Sequence, residues 1–319
     1  MTMKHKKIVC LGGGIGTVNL IKGIKQYTDN LTVIVSMADD GGSTGRLRRL
    51  YNILPPGDLV SCMAAVSNDP VLARVLTYRF PGKRYGKDEE LVGQKLGNLI
   101  VVGMRDVTGD FEKAIHLFQK VFHIPGHFSP ATTQPVSISA ATVEGKQINR
   151  EENIDLGRYV GKKIIEKVYL HPANAKPAHG VIASLQEADA ILVGPGDLYT
   201  TVLPTLIIPE IKKELTKSKK KKIFIVNVAN KPSETKGYGV FDYIKAIEKH
   251  LGVFPFDIVI VNNNISIPIP KKFRAAYGYV PLKPIKYKQV AFVEKDLVDD
   301  TFPLYHSPEK LAKAVVEHI

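Results

Sequence analysis

An apolar run, Ile8-Val9-Cys10-Leu11, stops at Gly12-Gly13-Gly14-Ile15-Gly16-Thr17, and a helical pattern begins at once. Val18, Ile21 and Ile24 repeat at helical spacing across Thr17–Gln26, and Leu31–Met37 is a β-branched apolar run that reads as a buried strand. Strand, glycine turn, helix, strand is a βαβ unit. Four glycines in five positions exceed what an ordinary tight turn needs. They let backbone N–H groups approach an anion at the positive end of the following helix. The turn matches neither common phosphate motif. Gly14-Ile15-Gly16-Thr17-Val18-Asn19 has Asn where a dinucleotide fingerprint has its third glycine, and no Gly-Lys-Ser/Thr follows. The unit predicts an anion-binding loop made by Gly12, Gly13, Gly14, Gly16 and Thr17.

The same alternation runs on. Val71–Phe80, Asp110–Phe122 and Gly180–Ala188 read as helices, and Leu96–Met104 as a buried one. Ala190–Val193, Ile223–Val228 and Phe256–Val261 read as strands. Between them, Pro135–Val143 leads into a hairpin turn at Glu144-Gly145-Lys146, and Lys163–Leu170 would add another strand. The expected fold class is α/β: a Rossmann-like three-layer fold with a mostly parallel sheet and an inserted β-rich subregion at about 130–176. No linker divides the chain, so residues 1–319 read as one nucleotide-binding domain. Residues 265–319 form a C-terminal extension without a motif, expected to close the sheet edge or to make a homo-oligomer contact.

Composition narrows the function. A chain that is 44% hydrophobic and 24% charged holds a full core, and no apolar run approaches the length of a membrane span. Glycines cut the first apolar run too short for a signal peptide. Two cysteines give no disulfide framework, Cys10 reads as core, and the nine histidines lack ligand spacing. The expected location is cytoplasmic. The net charge of +13 suits anionic partners. Its densest run, Lys217–Lys222, reads as a solvated helix end, and with no recognition motif beside it nucleic acid is not expected.

Open α/β sheets bind ligands at the carboxyl ends of their strands. The loop after the second strand is Ala38-Asp39-Asp40-Gly41-Gly42-Ser43-Thr44-Gly45-Arg46. Asp39 and Asp40 could accept ribose hydroxyls or hold Mg²⁺, the one cofactor the residues point to. Arg46 could grip a phosphate. The plainer alternative makes the aspartates helix caps. Gly194-Pro195-Gly196-Asp197-Leu198-Tyr199-Thr200-Thr201 offers a second backbone cradle, with Tyr199 and Thr200 hydroxyls beside it. Pro55-Pro56-Gly57-Asp58 is a stiff turn presenting a carboxylate. Lys95 and Asn98 stand before an apolar helix, and Asn227 ends a strand.

In this order the loops resemble the family that joins 2-phospho-L-lactate transferase (CofD) and the gluconeogenesis factor YvcK. The resemblance rests on residues 8–46, on 55–58, on Leu96-Gly97-Asn98-Leu99 and on Thr108-Gly109-Asp110-Phe111. It extends to Gly194–Thr200 with Pro204, and to Asn227 with Glu234-Thr235. Asp-Asp-Gly-Gly-Ser, and Gly196-Asp197-Leu198-Tyr199 in place of Asn-Pro, look like the YvcK branch. The sequence departs from the family's pattern at Ile15, Val60-Ser61, Gln94-Lys95, Asp197 and Asn230-Lys231. An extra carboxylate at Asp197 is unfavourable beside a diphosphate unless it binds metal or sugar hydroxyls.

The resemblance implies a protein that binds a nucleotide sugar, notably UDP-N-acetylglucosamine, and acts in carbon metabolism and cell shape with no established reaction. Gly12–Thr17 and Gly194–Thr200 would then hold the diphosphate, with Asp39 and Asp40 at the ribose, the sugar or Mg²⁺. The transferase branch implies instead movement of a phospholactyl group from a guanosine diphosphate carrier to a deazaflavin. There the residue matching Asp58 contacts the acceptor, and Asp39, Asp40 or Asp58 would orient or deprotonate the attacking hydroxyl. An NAD(P)-binding protein is a third reading, against which the broken fingerprint argues.

Overall fold

The computed structural model describes residues 3–81, 91–162, 164–282 and 286–319. Its main sheet has seven strands: β1 (Lys7–Gly12), β2 (Asn30–Val35), β3 (His127–Pro130), β4 (Ala190–Val193), β5 (Lys221–Ile225), β6 (Ile258–Asn262) and β7 (Ala291–Lys295). They lie in the order β7-β6-β5-β4-β1-β2-β3, and every pairing is parallel. β1 is central: Cys10 stands beside Val33 on one side and Leu192 on the other. Both faces of β1, β4 and β6 are covered, which is why these strands read as continuous apolar runs. The chain leaves β1 toward β3 and then crosses back to β4, so the strand order reverses between β1 and β4.

Helices flank the sheet. α1 (Gly14–Ile24) follows β1, and α2 (Gly42–Tyr51) and α3 (Gly57–Val66) follow β2. α4 (Pro70–Thr77), α5 (Leu96–Thr108) and α6 (Phe111–Val121) lead to β3. Two beginnings differ from the sequence reading. α1 starts on Gly14 rather than Thr17, so the glycine turn is itself the first turn of helix. Gly42-Ser43-Thr44-Gly45, read as loop, is helical, and Gly45 N donates to Gly41 O at 2.8 Å. Glycine counts as a breaker by propensity, but a Cβ at Gly45 would lie 1.9 Å from the Asp40 carbonyl oxygen. Packing of the loop back against the helix requires the bare backbone there.

Strands Ser137–Thr142, Gln147–Asn149 and Ile165–His171 form a separate antiparallel sheet with Ser137–Thr142 in the middle. The expected hairpin closes through Gly145 N to Thr142 O at 2.9 Å. Lys163, the first residue of the strand expected there, lies outside the described residues. A short helix, Glu151–Asp155, joins the hairpin to the third strand and reaches the main sheet's carboxyl edge.

Residues beyond 264 supply β7, which pairs with β6 at the sheet edge, and the C-terminal helix Pro308–Val316, which packs on α1. The lysine run is only partly a solvated helix end. The helix Pro209–Lys217 stops there, but Lys222 is the second residue of β5 and is buried, its ammonium folded onto the Ser218 and Lys220 carbonyls. Among the described residues no helix is long and apolar enough to cross a membrane.

Candidate functional site

The loops at the carboxyl ends of β1, β2, β4 and β5 border one cleft of about 900 Å³. Its floor is the place where the strand order reverses. Gly14 has φ +66°, a backbone that L side chains rarely adopt. Gly13 N donates to Thr17 Oγ1 at 2.8 Å, which ties the turn to the helix it opens. A Cβ on Gly16 would lie 2.4 Å from the Pro195 carbonyl oxygen, so the loops after β1 and β4 touch backbone to backbone. Gly196 N in turn donates to Asn227 Oδ1, 2.9 Å away in the segment after β5. Three strand ends thus make one continuous surface.

Asp58 enters this floor from the first turn of α3. Its Oδ2 accepts from Gly14 N at 2.8 Å, so one amide of the glycine loop already holds an anion, a carboxylate of the chain itself. Lys95 lines the cleft nearby, and its ammonium donates to Gly57 O at 2.9 Å and to Ser61 Oγ. Asn98 does not join them. It is fully buried one helical turn on, away from the cleft, and neither end of its amide has a hydrogen-bond partner.

The two adjacent aspartates part company. Asp39 faces the cleft, with Oδ1 accepting from Gly41 N at 3.0 Å. Asp40 turns to the inserted helix: it accepts from Glu152 N at 3.0 Å and pairs with Arg150 Nε at 3.3 Å. They form no joint clamp. Gly41 borders the cleft, whereas Gly42 and Ser43 are buried in α2, where Arg79 donates to Ser43 Oγ. The Arg46 guanidinium reaches the Val92 carbonyl, and Arg46 is not part of the cleft lining. Gly12 closes β1 beneath the floor, packed against Thr17.

The loop after β4 is braced from below. Tyr199 N and Thr200 N donate to Glu234 Oε2 at 2.8 and 3.2 Å, and Thr200 Oγ1 donates to Glu234 Oε1 at 2.7 Å. Tyr199 is buried, its hydroxyl paired with that of Tyr238 at 2.9 Å, so it shapes the loop and does not face the cleft. Asp197 faces the cleft and is ion-paired to Lys231 at 2.6 Å. The extra carboxylate therefore has a chain partner that spacing alone did not reveal.

Sequence reading missed part of the wall. Glu151 and Asp155 come from the inserted helix, and Lys231 from the turn after β5. Burial, then the charges of Asp39 and Asp155, push the Glu151 carboxyl up to about 10, so it is protonated at neutral pH. On the far side stand Phe273, Tyr277, Phe302 and Tyr305, which touch in the order Tyr277–Phe273–Phe302–Tyr305, the first two contacts edge-to-face and the last tilted, with ring centroids 4.7–6.0 Å apart. Their spacing of four and three residues was the available signal in an extension without motifs. Asn19 Nδ2 of α1 donates to His306 O at 3.0 Å and ties this aromatic side to the glycine-loop helix.

A parallel sheet whose two glycine loops meet at the reversal of strand order, below a polar cleft, defines a Rossmann-like α/β protein with a candidate binding cleft. The chain belongs to the family described as 2-phospho-L-lactate transferase CofD, whose profile matches residues 8–298. It is 34% identical over 320 residues to the gluconeogenesis factor of Bacillus subtilis (strain 168), covering 98% of this chain and 97% of that one. It is 34% identical over 324 residues to the gluconeogenesis factor of Halalkalibacterium halodurans, covering 99% and 97%. A crystal structure of a Bacillus halodurans protein superposes with a TM-score of 0.88 at 33% identity, covering 98% of this chain and 100% of that one. Within the family the chain is of the gluconeogenesis-factor, YvcK type.

Proposed function

We propose that this chain binds a nucleotide sugar of the UDP-N-acetylglucosamine kind and acts in the cytoplasm as a regulator of carbon metabolism and cell shape. Residues 1–319 are read as one domain built around that cleft. The observation that carries this reading is the contact of Gly16 with Pro195 at the strand-order reversal, which sets the start of α1 and the loop after β4 side by side. The diphosphate lies along them, with Asp58 exchanging its hold on Gly14 N for a neighbouring donor. Asp39 accepts ribose or sugar hydroxyls, or shares a Mg²⁺ with the diphosphate.

Calorimetric titration tests the reading, with UDP-N-acetylglucosamine against UDP, GDP and NADPH, with and without Mg²⁺. Saturable binding of the UDP-sugar without its consumption is expected. Asp39→Ala should weaken it about tenfold or more, the usual cost of losing a charged hydrogen-bond acceptor. Failure of every uridine ligand to bind would sink the reading. Binding of GDP instead would turn attention to phospholactyl transfer, with Asp58 beside the attacking hydroxyl.

A further inference from the structure

Asp155, Asp197 and Glu234 come from three separate places: the inserted helix, the loop after β4 and the turn after β5. One carboxylate oxygen from each lies within 4.8 Å of the other two, close enough to share one cation. The centre of this cage is occupied by the chain itself. Lys231 Nζ bonds Asp155, stands 2.6 Å from Asp197 Oδ2 and 3.2 Å from Glu234 Oε1. Burial works against the lysine charge, but Asp197, Glu234 and Asp155 together hold its pKa well above the ordinary value. Glu234 is fixed further by Tyr199 and Thr200. Asp155, Asp197 and Lys231 all border the cleft.

We propose that Lys231 is this chain's built-in substitute for a divalent cation, filling the Asp155–Asp197–Glu234 cage so that the cleft takes its ligand with no metal bound at this position. An ammonium differs from a metal ion in what it offers a ligand. It donates hydrogen bonds to Asp155 and Asp197 and stands against Glu234 at 3.2 Å, so its charge is taken up by the three carboxylates and it offers no open coordination position to a phosphate oxygen. The ligand meets instead the outward lone pairs of Asp155 and Asp197, which accept from hydroxyl groups. Carboxylates outnumber the ammonium, so this wall repels phosphate and favours a polyhydroxyl end. The choice of ligand end rests on the nucleotide-sugar reading above; the exclusion of metal does not.

Mn²⁺ binding to the full chain, followed by electron paramagnetic resonance, tests this. The native protein and Asp197→Asn should bind the same number of ions. Lys231→Met should gain one site, lost again in Lys231→Met/Asp197→Asn, and its melting temperature should recover when Mn²⁺ is added. A native site removed by Asp197→Asn would overturn the proposal, and that comparison decides even if Lys231→Met does not fold. A folded Lys231→Met that gains no site would overturn it as well. If the native protein binds no nucleotide sugar, the reading of the preceding subsection fails while the Mn²⁺ result stands.

Discussion

Glu151 holds a proton at neutral pH because it is buried and faces Asp39, Asp155 and Asp40, whose charges outweigh the opposing Lys231. Its carboxyl titrates near 10 when folded, against a reference value of 4.5. Between those values the folded state binds a proton that the unfolded chain has released, so this group destabilises the fold as pH rises through the window. Glu151→Gln keeps the shape and stays neutral at every pH, so the proton linkage is gone. It should melt ~2–4 °C or more above the native protein at pH 8, roughly what 1 kcal/mol gives in a large domain, and level with it at pH 4. An equal difference at both values would show that the proton is not the cause. The same neighbourhood explains what could not be read from sequence. Asp39 and Asp40 are adjacent and look interchangeable, yet one faces the cleft and the other Arg150, which lies 110 positions away. Asp197 looked like a liability until Lys231 was placed beside it.

At the scale of elements the first βαβ unit was legible because glycine, β-branched runs and helical spacing are local signals. Where α1 and α2 begin was not, because those helices start on Gly14 and Gly42, held at φ +66° and +48°, and glycine counts as a helix breaker by propensity. Gly16, inside the first turn of α1, must also stay bare for a neighbour distant in sequence. Gly16 tests this. A Cβ there would meet only backbone atoms, the Pro195 carbonyl oxygen at 2.4 Å and Gly196 N at 3.2 Å, and no rotamer change can relieve it. Gly16→Ala should cost about 1–3 kcal/mol, as overpacking does, and push the two loops apart. Nucleotide-sugar affinity should fall more than tenfold. Gly103 is the control: it lies inside α5 with nothing within 4 Å of its Cβ position. Gly103→Ala should stabilise by about 0.5–1 kcal/mol and leave binding unchanged. If both variants bind alike, the two loops do not form one surface.

Over the whole molecule, the order of motifs along the chain announced a parallel sheet, and the insertion was visible as a β-rich interval between helices. For residues 265–319 the sequence offered only two alternatives, closing the sheet edge or a contact between copies, because an edge strand and a docking helix carry no chemistry of their own. Their meaning lies in what they cover. Leu297, Leu311, Ala312 and Val315 are fully buried, and β7 takes the edge that β6 would otherwise expose. At Gly23 a Cβ would lie 2.1 Å from the Pro308 carbonyl oxygen, so the C-terminal helix lies directly on the helix that opens at the glycine loop. The aromatic side of the cleft hangs from this same segment through Asn19 and His306. An appendage would be dispensable; a covering wall of the core would not. A chain ending at residue 290 leaves the α1 face and the β6 edge open to water, the condition under which sheets pair with one another. It should emerge from size-exclusion chromatography as aggregate, with the cooperative thermal transition lost. A monomeric, cooperatively melting product that still binds the nucleotide sugar would show that the segment is an add-on and that the cleft is complete without its aromatic wall.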